Sequence, residues 1–416
     1  MQTLPKKIRT GPSMLYASYQ MHSDMMGPMR AVAASSAAVL GVWDTGPSSA
    51  VRHLSAACEL LARTKLTHRR PAFGIDTVTV AGREVGIHEE AAQVTPFGTL
   101  LHFRKDTDIA QPRVLLVAPL SGHFATLLRD TVRTLLPEQD VYLTDWHNAR
   151  DVSRAHGRFG IDEYVEHIIG FLQTIGPGAH VVAVCQPCVA VLAAVALMAE
   201  GQDPAQPGSM TLMAGPIDTR VNPTKVNELA TGQSLDWFER NLIATVPPRY
   251  AGAGRRVYPG FLQLSAFMSM NLSRHVKAHA DLFQHLVRGE HEKAQAAIAF
   301  YEEYFAVLDL TAEFYLETVG TIFQQHALPL GQLQWRGQRV DPAAIRRTAL
   351  LTVEGEKDDI CAVGQTVAAH ELCKGLRAYR KRHHMQAGVG HYGVFSGKRW
   401  QHQIYPIVHN VILAAD

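Results

Sequence analysis

No uninterrupted apolar run in this chain reaches the roughly 20 residues that a membrane-spanning helix needs. Neither sign of charge dominates, since 40 Lys and Arg stand against 38 Asp and Glu. That balance argues against nucleic acid or a strongly anionic surface as partner, and against substrate capture by bulk charge. Cysteine is scarce and odd in number, at 58, 185, 188, 361 and 373, which is no disulfide framework and favours free thiols in a reducing compartment. Internal repeats and low-complexity tracts are absent. Lys6, Lys7 and Arg9 precede apolar segments, and Ala31 to Leu40 has the composition of a signal core. His22, Asp24 and Arg30 interrupt the region that a signal would keep apolar, so a cytoplasmic chain is expected.

What is present is an ordinary globular composition, 47% hydrophobic and 19% charged over 416 residues. That length suffices for one large domain with an insertion, or for two. A Met-rich stretch from Met14 leads into an Ala/Val/Ser segment ending at Trp43. It reads either as helices packed on the main body, with Met filling gaps, or as a soft apolar surface for a hydrophobic particle. From Phe73 the pattern alternates, with Thr77 to Val80, an Ala81-Gly82 turn, Glu84 to Ile87 and Thr99 to Phe103 as antiparallel strands. Val114 to Pro119 is a continuous apolar run, as a central parallel strand should be. Strand Val141 to Thr144, helix Ile161 to Ile175 and strand Met210 to Met213 follow. Later come strand Thr348 to Val353, helix Thr366 to Leu376, a strand near His383 to Gln386 and a helix from Trp400 to Leu413. Regular alternation of strand and helix predicts an α/β fold with a mainly parallel, doubly wound sheet.

The stretch His180 to Glu200 organises this pattern. Val181 to Val184 is a short β-branched run fit for a buried strand, Cys185 follows, and from Pro187 the segment is apolar on nearly every face, as in a buried helix. Strand, sharp turn and helix with a nucleophile at the turn is the layout of the nucleophile elbow in α/β-hydrolases. A residue at the start of such a helix sits in its positive end, which favours a thiolate. The elbow ordinarily has glycine on both sides, whereas Ala183 and Pro187 stand there here. Cys185-Gln186-Pro187-Cys188 also reads as a redox CxxC pair or half a zinc site. A zinc site needs a second close pair, and Cys361 and Cys373 lie too far apart to supply it. Cys188, inside the apolar helix, reads as a packed thiol.

Acyl transfer needs a nucleophile, a base, an acid that orients the base, and donors for the oxyanion. In this fold they come in the chain order nucleophile, Asp or Glu, His. Cys185, then Asp358 or Asp359 after the Thr348 to Val353 strand, then His391 in a Gly-rich loop meet that order. Asp358 is preferred, with Asp359 as a cap or a solvated charge. His123 and His147 also sit on loops after strands and compete for the base, while His383 and His384 lie within a strand. The oxyanion donors are expected at the backbone N-H of Gln186 and of Leu120 or Ser121, with Gly122 allowing close approach.

Between 217 and 345 the strand signal disappears and helical spacing takes over, as in His291 to Leu310 and Thr311 to Gln325. Fifteen of the chain's aromatics fall there, in less than a third of its length. They are either the insert's own core or the inner face of a cap over an apolar groove. The expected organisation is an N-terminal helical segment over 1–70, an α/β-hydrolase core over 71–216 and 346–416, and a helical cap or lid over 217–345.

Eight ordered blocks, MLYASYQMHSDMMGPMR, FGIDTVTVAGREV, TPFGTLLHFRK, VCQPCVA, GPIDTRVNPTKVN, YFAVLDLTAEFYLETV, TALLTVEGEKDDI and GHYGVFSGKRW, resemble the intracellular polyhydroxybutyrate depolymerases, which are similar in turn to the polyhydroxyalkanoate synthases. The resemblance implies a cysteine nucleophile in an AVCQP-like elbow and lands the triad on Cys185, Asp358 and His391. It implies hydrolysis of amorphous poly(3-hydroxybutyrate) on intracellular granules to 3-hydroxybutyrate oligomers and monomer, without metal or cofactor. Trp237, Phe267, Tyr304 and Tyr392 are then candidates for contact with the polyester. Two rivals are a synthase-like acyltransferase and a non-catalytic granule-associated protein. The synthases carry glycines around the cysteine, where this chain has Ala183 and Pro187, and a coat protein needs no ordered catalytic set. Assembly into a homo-oligomer is left open, since oligomeric state is not legible in the sequence.

Overall fold

The computed structural model describes residues 12–42, 50–270 and 272–416. Lys6, Lys7, Arg9 and Trp43 lie outside the described residues. The first two sheet strands, β1 (Thr77–Val80) and β2 (Arg83–Val94), meet in a tight hairpin. Its loop residues Ala81 and Gly82 have φ of 48° and 78°, the left-handed pair that a two-residue loop uses to match strand twist. β3 (Gly98–Lys105), β4 (Arg113–Val117), β5 (Asp140–Trp146), β6 (His180–Val184) and β7 (Ser209–Met213) follow. Residues 214–348 then leave the main sheet before β13 (Ala349–Gly355) and β14 (Lys381–Gln386) complete it. The sheet order is β1-β2-β3-β5-β4-β6-β7-β13-β14. β1 to β3 are antiparallel, and the strands from β5 across to β14 run parallel.

The continuous apolar runs explain the centre of this sheet. Every residue of β6 and β7 is buried, as are Val114 to Val117 of β4, because helices cover both faces of a parallel sheet and leave no polar side. Helices α3 (Arg129–Leu135), α4 (Ile161–Ile175) and α5 (Cys188–Glu200) fill the crossovers. The chain moves outward from β4 to β5, returns across to β6, and continues the other way to β7. The β4/β6 boundary is therefore the switch point, where loops leave the strand ends in opposite directions and open a crevice. The sheet order, its antiparallel edge and the sharp turn after β6 together define the α/β-hydrolase fold.

The segment between β7 and β13 departs from its helical reading. It does carry α6 (Lys225–Thr231), α7 (Leu235–Leu242), α8 (Gly260–Met270), α9 (Leu272–Arg288), α10 (His291–Tyr304) and α11 (Ala312–Glu317). It also holds a small antiparallel sheet of β8 (Ala244–Thr245), β9 (Arg256–Tyr258) and β10 (Leu310–Thr311), and a hairpin of β11 (Gln334–Trp335) and β12 (Gln338–Arg339). Strands of two or three residues are too short to show a period of two. The helix expected to reach Leu310 stops at Tyr304. Beyond it the chain pairs with a distant segment, through Thr67 N-H to Phe305 O (3.0 Å) and Val307 N-H to Thr67 O (2.8 Å). Thr366 to Leu376 is helical only over α12 (Ala369–Leu372). The last helix opens at Gly397–Arg399, widens to a π turn over Trp400–Ile404 and tightens at Tyr405, next to Pro406, which has no N-H to continue the earlier ladder.

Before the sheet, α1 (Pro12–Val42) and α2 (Ala50–Arg63) pack on one another. Met21, Met25 and Met29 of α1 are exposed rather than filling gaps. The helix is tied down by Tyr16, which is fully buried and donates from its hydroxyl to Asp309 Oδ2 at 2.7 Å. Asp309 is itself fully buried and accepts Gly260 N-H on Oδ1 at 2.9 Å. Burial pushes the Asp309 carboxyl above the ordinary carboxylate range, against the lowering effect of those donors. Tyr16→Phe would leave one of its oxygens without a partner, which costs about 1–3 kcal/mol. Urea unfolding should show that loss, and an unchanged midpoint would count against Tyr16 as the anchor.

Candidate active site

Cys185 follows the last residue of β6, and its φ of 68° puts a non-glycine residue in the left-handed region. Such backbone is held at a cost of about 1–3 kcal/mol only where the surroundings fix it. Here they do so through Cys185 N-H to Met213 O (2.7 Å), which extends the β6–β7 ladder one step, and Cys188 N-H to Cys185 O (3.2 Å), which closes the turn into α5. Pro187 adopts φ of −68° just before the helix, so proline fits the turn where the elbow ordinarily has glycine. Crowding is relieved instead at Gly215, where a β-carbon would collide with the Cys188 side chain.

The two cysteines are in different environments. Cys185 is half-buried, whereas Cys188 is fully buried with its Sγ 3.5 Å from Ala183 O and 3.6 Å from Met213 O. Burial, reinforced by Cys185, pushes the Cys188 thiol well above its ordinary value and keeps it protonated.

β13 and β14 bring the acid and the base to the same end of the sheet. After β13 the chain turns so that Asp358 is buried, and its Oδ1 accepts the backbone N-H groups of Ile360 (2.9 Å) and Cys361 (2.8 Å). The other oxygen, Oδ2, lies 2.8 Å from His391 Nδ1. Gly355 allows this approach, because a β-carbon there would stand 2.9 Å from Val389 O in the histidine loop. Asp359 is exposed. His391 is buried, with Phe395 and Tyr392 edge-on to its ring. Burial works against an imidazolium at this position, yet Cys185 and Asp358 acting together outweigh it and raise the His391 pKa well above its ordinary value.

The competing histidines are engaged elsewhere. Burial holds His123 down at about 4, with its Nε2 3.1 Å from Tyr304 O. His147 contacts Thr99 and Pro96 O, and His383 contacts Thr352. Of the expected oxyanion donors, Leu120 N-H is already engaged by Gln186 Oε1 at 3.3 Å. The backbone N-H groups of Gln186 and Ser121 have no acceptor among the described residues.

Among the aromatic candidates, Tyr392 is flanked by His391 and Phe395. The residue as a whole is exposed, yet its hydroxyl end is enclosed, which pushes that group up, and Tyr304 and Cys185 add to the shift, so these three groups share one neighbourhood. Tyr304 and Phe267 meet over the His123 ring. Trp237 is not joined to this group; its ring contact is with Phe238 in the same helix. Sequence reasoning missed His275, which stacks on Tyr304 at 5.2 Å, because one histidine on an amphipathic helix carries no signal. A cleft of about 830 Å³ lined by Leu197, Met198 and Trp335 lies at the C-terminal end of α5, opposite the end that bears Cys185. Among the described residues no cluster of His, Cys, Asp or Glu could hold a metal ion, and no helix is long and apolar enough to cross a membrane.

Residues 214–416 match the family model described as PHB de-polymerase C-terminus. The match spans slightly less than half of the chain, and over it the sequence is similar to the PHB depolymerases. Asp358 and His391 fall inside the match, and Cys185 precedes it. This similarity supports hydrolase activity on an ester. No curated protein matches the sequence. Among solved structures, 2-hydroxy-6-oxo-6-phenylhexa-2,4-dienoate hydrolase of Rhodococcus sp. strain RHA1 is similar at 13% identity and a TM-score of 0.44, over 79% of this chain and 99% of that one. A carboxylesterase structure linked to the thaumarchaeon Nitrososphaera gargenis is similar at 13% identity and a TM-score of 0.39, over 82% of this chain and 100% of that one.

The raised His391 pKa yields a directional test. A group raised on folding adds stability that is complete below its unfolded value, near 6.5, and is lost as pH rises through the folded value. Cys185→Ala removes one raising partner, so His391 should titrate at lower pH than in the wild type, read by NMR of the imidazole protons. An unchanged titration would separate Cys185 from His391.

Proposed function

We propose that the protein hydrolyses poly(3-hydroxybutyrate) through a cysteine acyl-enzyme. The reading is supported by the site, with Cys185 on a left-handed turn at the switch point and a buried His391-Asp358 pair acting on it. Asp358 fixes the imidazole with Nδ1 protonated, which leaves Nε2 to exchange protons with the thiol and the substrate. The thiolate attacks the ester carbonyl, its carbon–oxygen π pair moves onto oxygen, and the backbone N-H groups of Gln186 and Ser121 receive that charge. Thiolate leaves more readily than alkoxide, so the intermediate returns to substrate unless the departing oxygen is protonated. His391, held as imidazolium by Cys185 and Asp358, gives that proton as the ester C–O bond breaks. Water, deprotonated by His391, then opens the thioester and releases a 3-hydroxyacyl carboxylate.

In this reading residues 217–345 form a cap on a core of 71–216 and 346–416, and 1–70 pack beside them. Phe267, Tyr304 and Tyr392 contact the apolar polyester, with Trp237 further along the chain. The substrate is granule-stored polymer in the cytoplasm, and the reaction uses no metal or cofactor.

Clearing of native amorphous granules tests the nucleophile. Cys185→Ala should lose activity by roughly 10³-fold or more, and Cys188→Ala should retain it. The reverse pattern would put the elbow out of register. Phe267→Ala should slow granule clearing more than hydrolysis of a short soluble ester, and equal losses on both substrates would count against a polymer groove.

A further inference from the structure

The Gln186 side chain is held in an unusual way for a residue next to a nucleophile. Its Oε1 accepts Leu120 N-H from the loop after β4, and it lies 3.4 Å from the Tyr164 hydroxyl on α4. The Tyr164 hydroxyl, with one proton, lies at the same 3.4 Å from Ala118 O, so Leu120 N-H is the donor committed to this oxygen and Tyr164 is shared. Tyr164 is fully buried, and its hydroxyl is kept protonated, and so a donor, by burial and by the neighbouring Cys188 and Cys185. A carboxamide is planar, so holding its oxygen against Leu120 N-H and beside the Tyr164 hydroxyl sets where the nitrogen points. That nitrogen has no acceptor among the described residues, although Gln186 is only half-buried. Two N-H donors are thus pre-oriented and unoccupied one residue from Cys185.

The commitment of Leu120 N-H leaves Ser121 N-H as the open donor of the loop after β4. The loop after β4 ordinarily supplies a backbone donor to the oxyanion, and here one such N-H is spent on Gln186. We propose that the Gln186 carboxamide nitrogen donates a further hydrogen bond to the substrate oxyanion, beside the backbone N-H groups of Gln186 and Ser121. This rests on Cys185 as nucleophile. When the thiolate adds to the carbonyl carbon, the displaced π pair makes the oxygen a full acceptor. A bond to a neutral carbonyl then becomes a charge-assisted one, which stabilises the transition state more than the ground state.

Gln186→Met keeps the length of the side chain and removes the donors. Gln186→Glu keeps an oxygen for Leu120 and Tyr164 and also removes them. On p-nitrophenyl butyrate both should lose roughly 10²- to 10³-fold in kcat, with KM changed far less in Gln186→Met. Affinity of Gln186→Met for butyraldehyde, which forms a hemithioacetal with Cys185, should fall in parallel. Alkylation of Cys185 by iodoacetamide forms a carbon–sulfur bond without an oxyanion, so its rate in Gln186→Met should match the wild type. Wild-type kcat in either variant would overturn the assignment. So would an alkylation rate that falls along with kcat in Gln186→Met, since Gln186 would then be holding the elbow. If Cys185→Ala stays active, the nucleophile reading fails; if Cys185→Ala is inactive and Gln186→Met is not impaired, the donor assignment alone fails.

Discussion

The backbone reversal at Cys185 is the constraint on which the rest of the structure depends. A side chain can stand clear at the end of a buried strand only if the chain turns away beneath it, and a left-handed residue does this in one step. The strain is offset by the ladder bond to Met213 and the turn bond from Cys188, and by a strand and helix buried almost throughout. Every other part of the site is then set by distance from that turn. The β4 loop approaches from one side of the switch point, and the loops after β13 and β14 from the other.

Electrostatics follow from the same burial. Removing His391 from water alone would keep it neutral, but it lies between the Asp358 carboxyl, held by two backbone N-H groups, and the Cys185 side chain, and these two raise it. Partner charges outweigh desolvation because the pair is close and dry. Cys188 and Cys361 lie in equally dry surroundings without such compensation, and burial raises their thiols well above the ordinary value, which keeps them neutral. One thiol of this cluster is thereby distinguished by its surroundings rather than by its sequence spacing.

The parallel core was legible because continuous runs such as Val181 to Val184 have no other economical place than a sheet covered on both faces. Asp358 and His391 were legible from chain order, and the structure places them 2.8 Å apart. The short strands β8 to β12 were not, since two-residue pairings are decided by partners far away in the chain. The end of α10 at Tyr304 was hidden for the same reason, its continuation being claimed by Thr67. Leu120 was read as an open donor because topology reports where a backbone N-H lies, and only the side-chain rotamer of Gln186 decides whether it is free.

The segment from Phe305 to Asp309 joins four parts of the molecule. Val307 bonds back to Thr67, Leu308 N-H donates to Gly122 O, Asp309 N-H donates to Asn148 Oδ1, and its carboxylate holds Tyr16. A lid hinged at this point would have to break all of these at once, including the contact to the loop after β4. This side of the inserted segment is therefore a fixed wall, pinned to loops of the sheet on one side and to the first helix on the other.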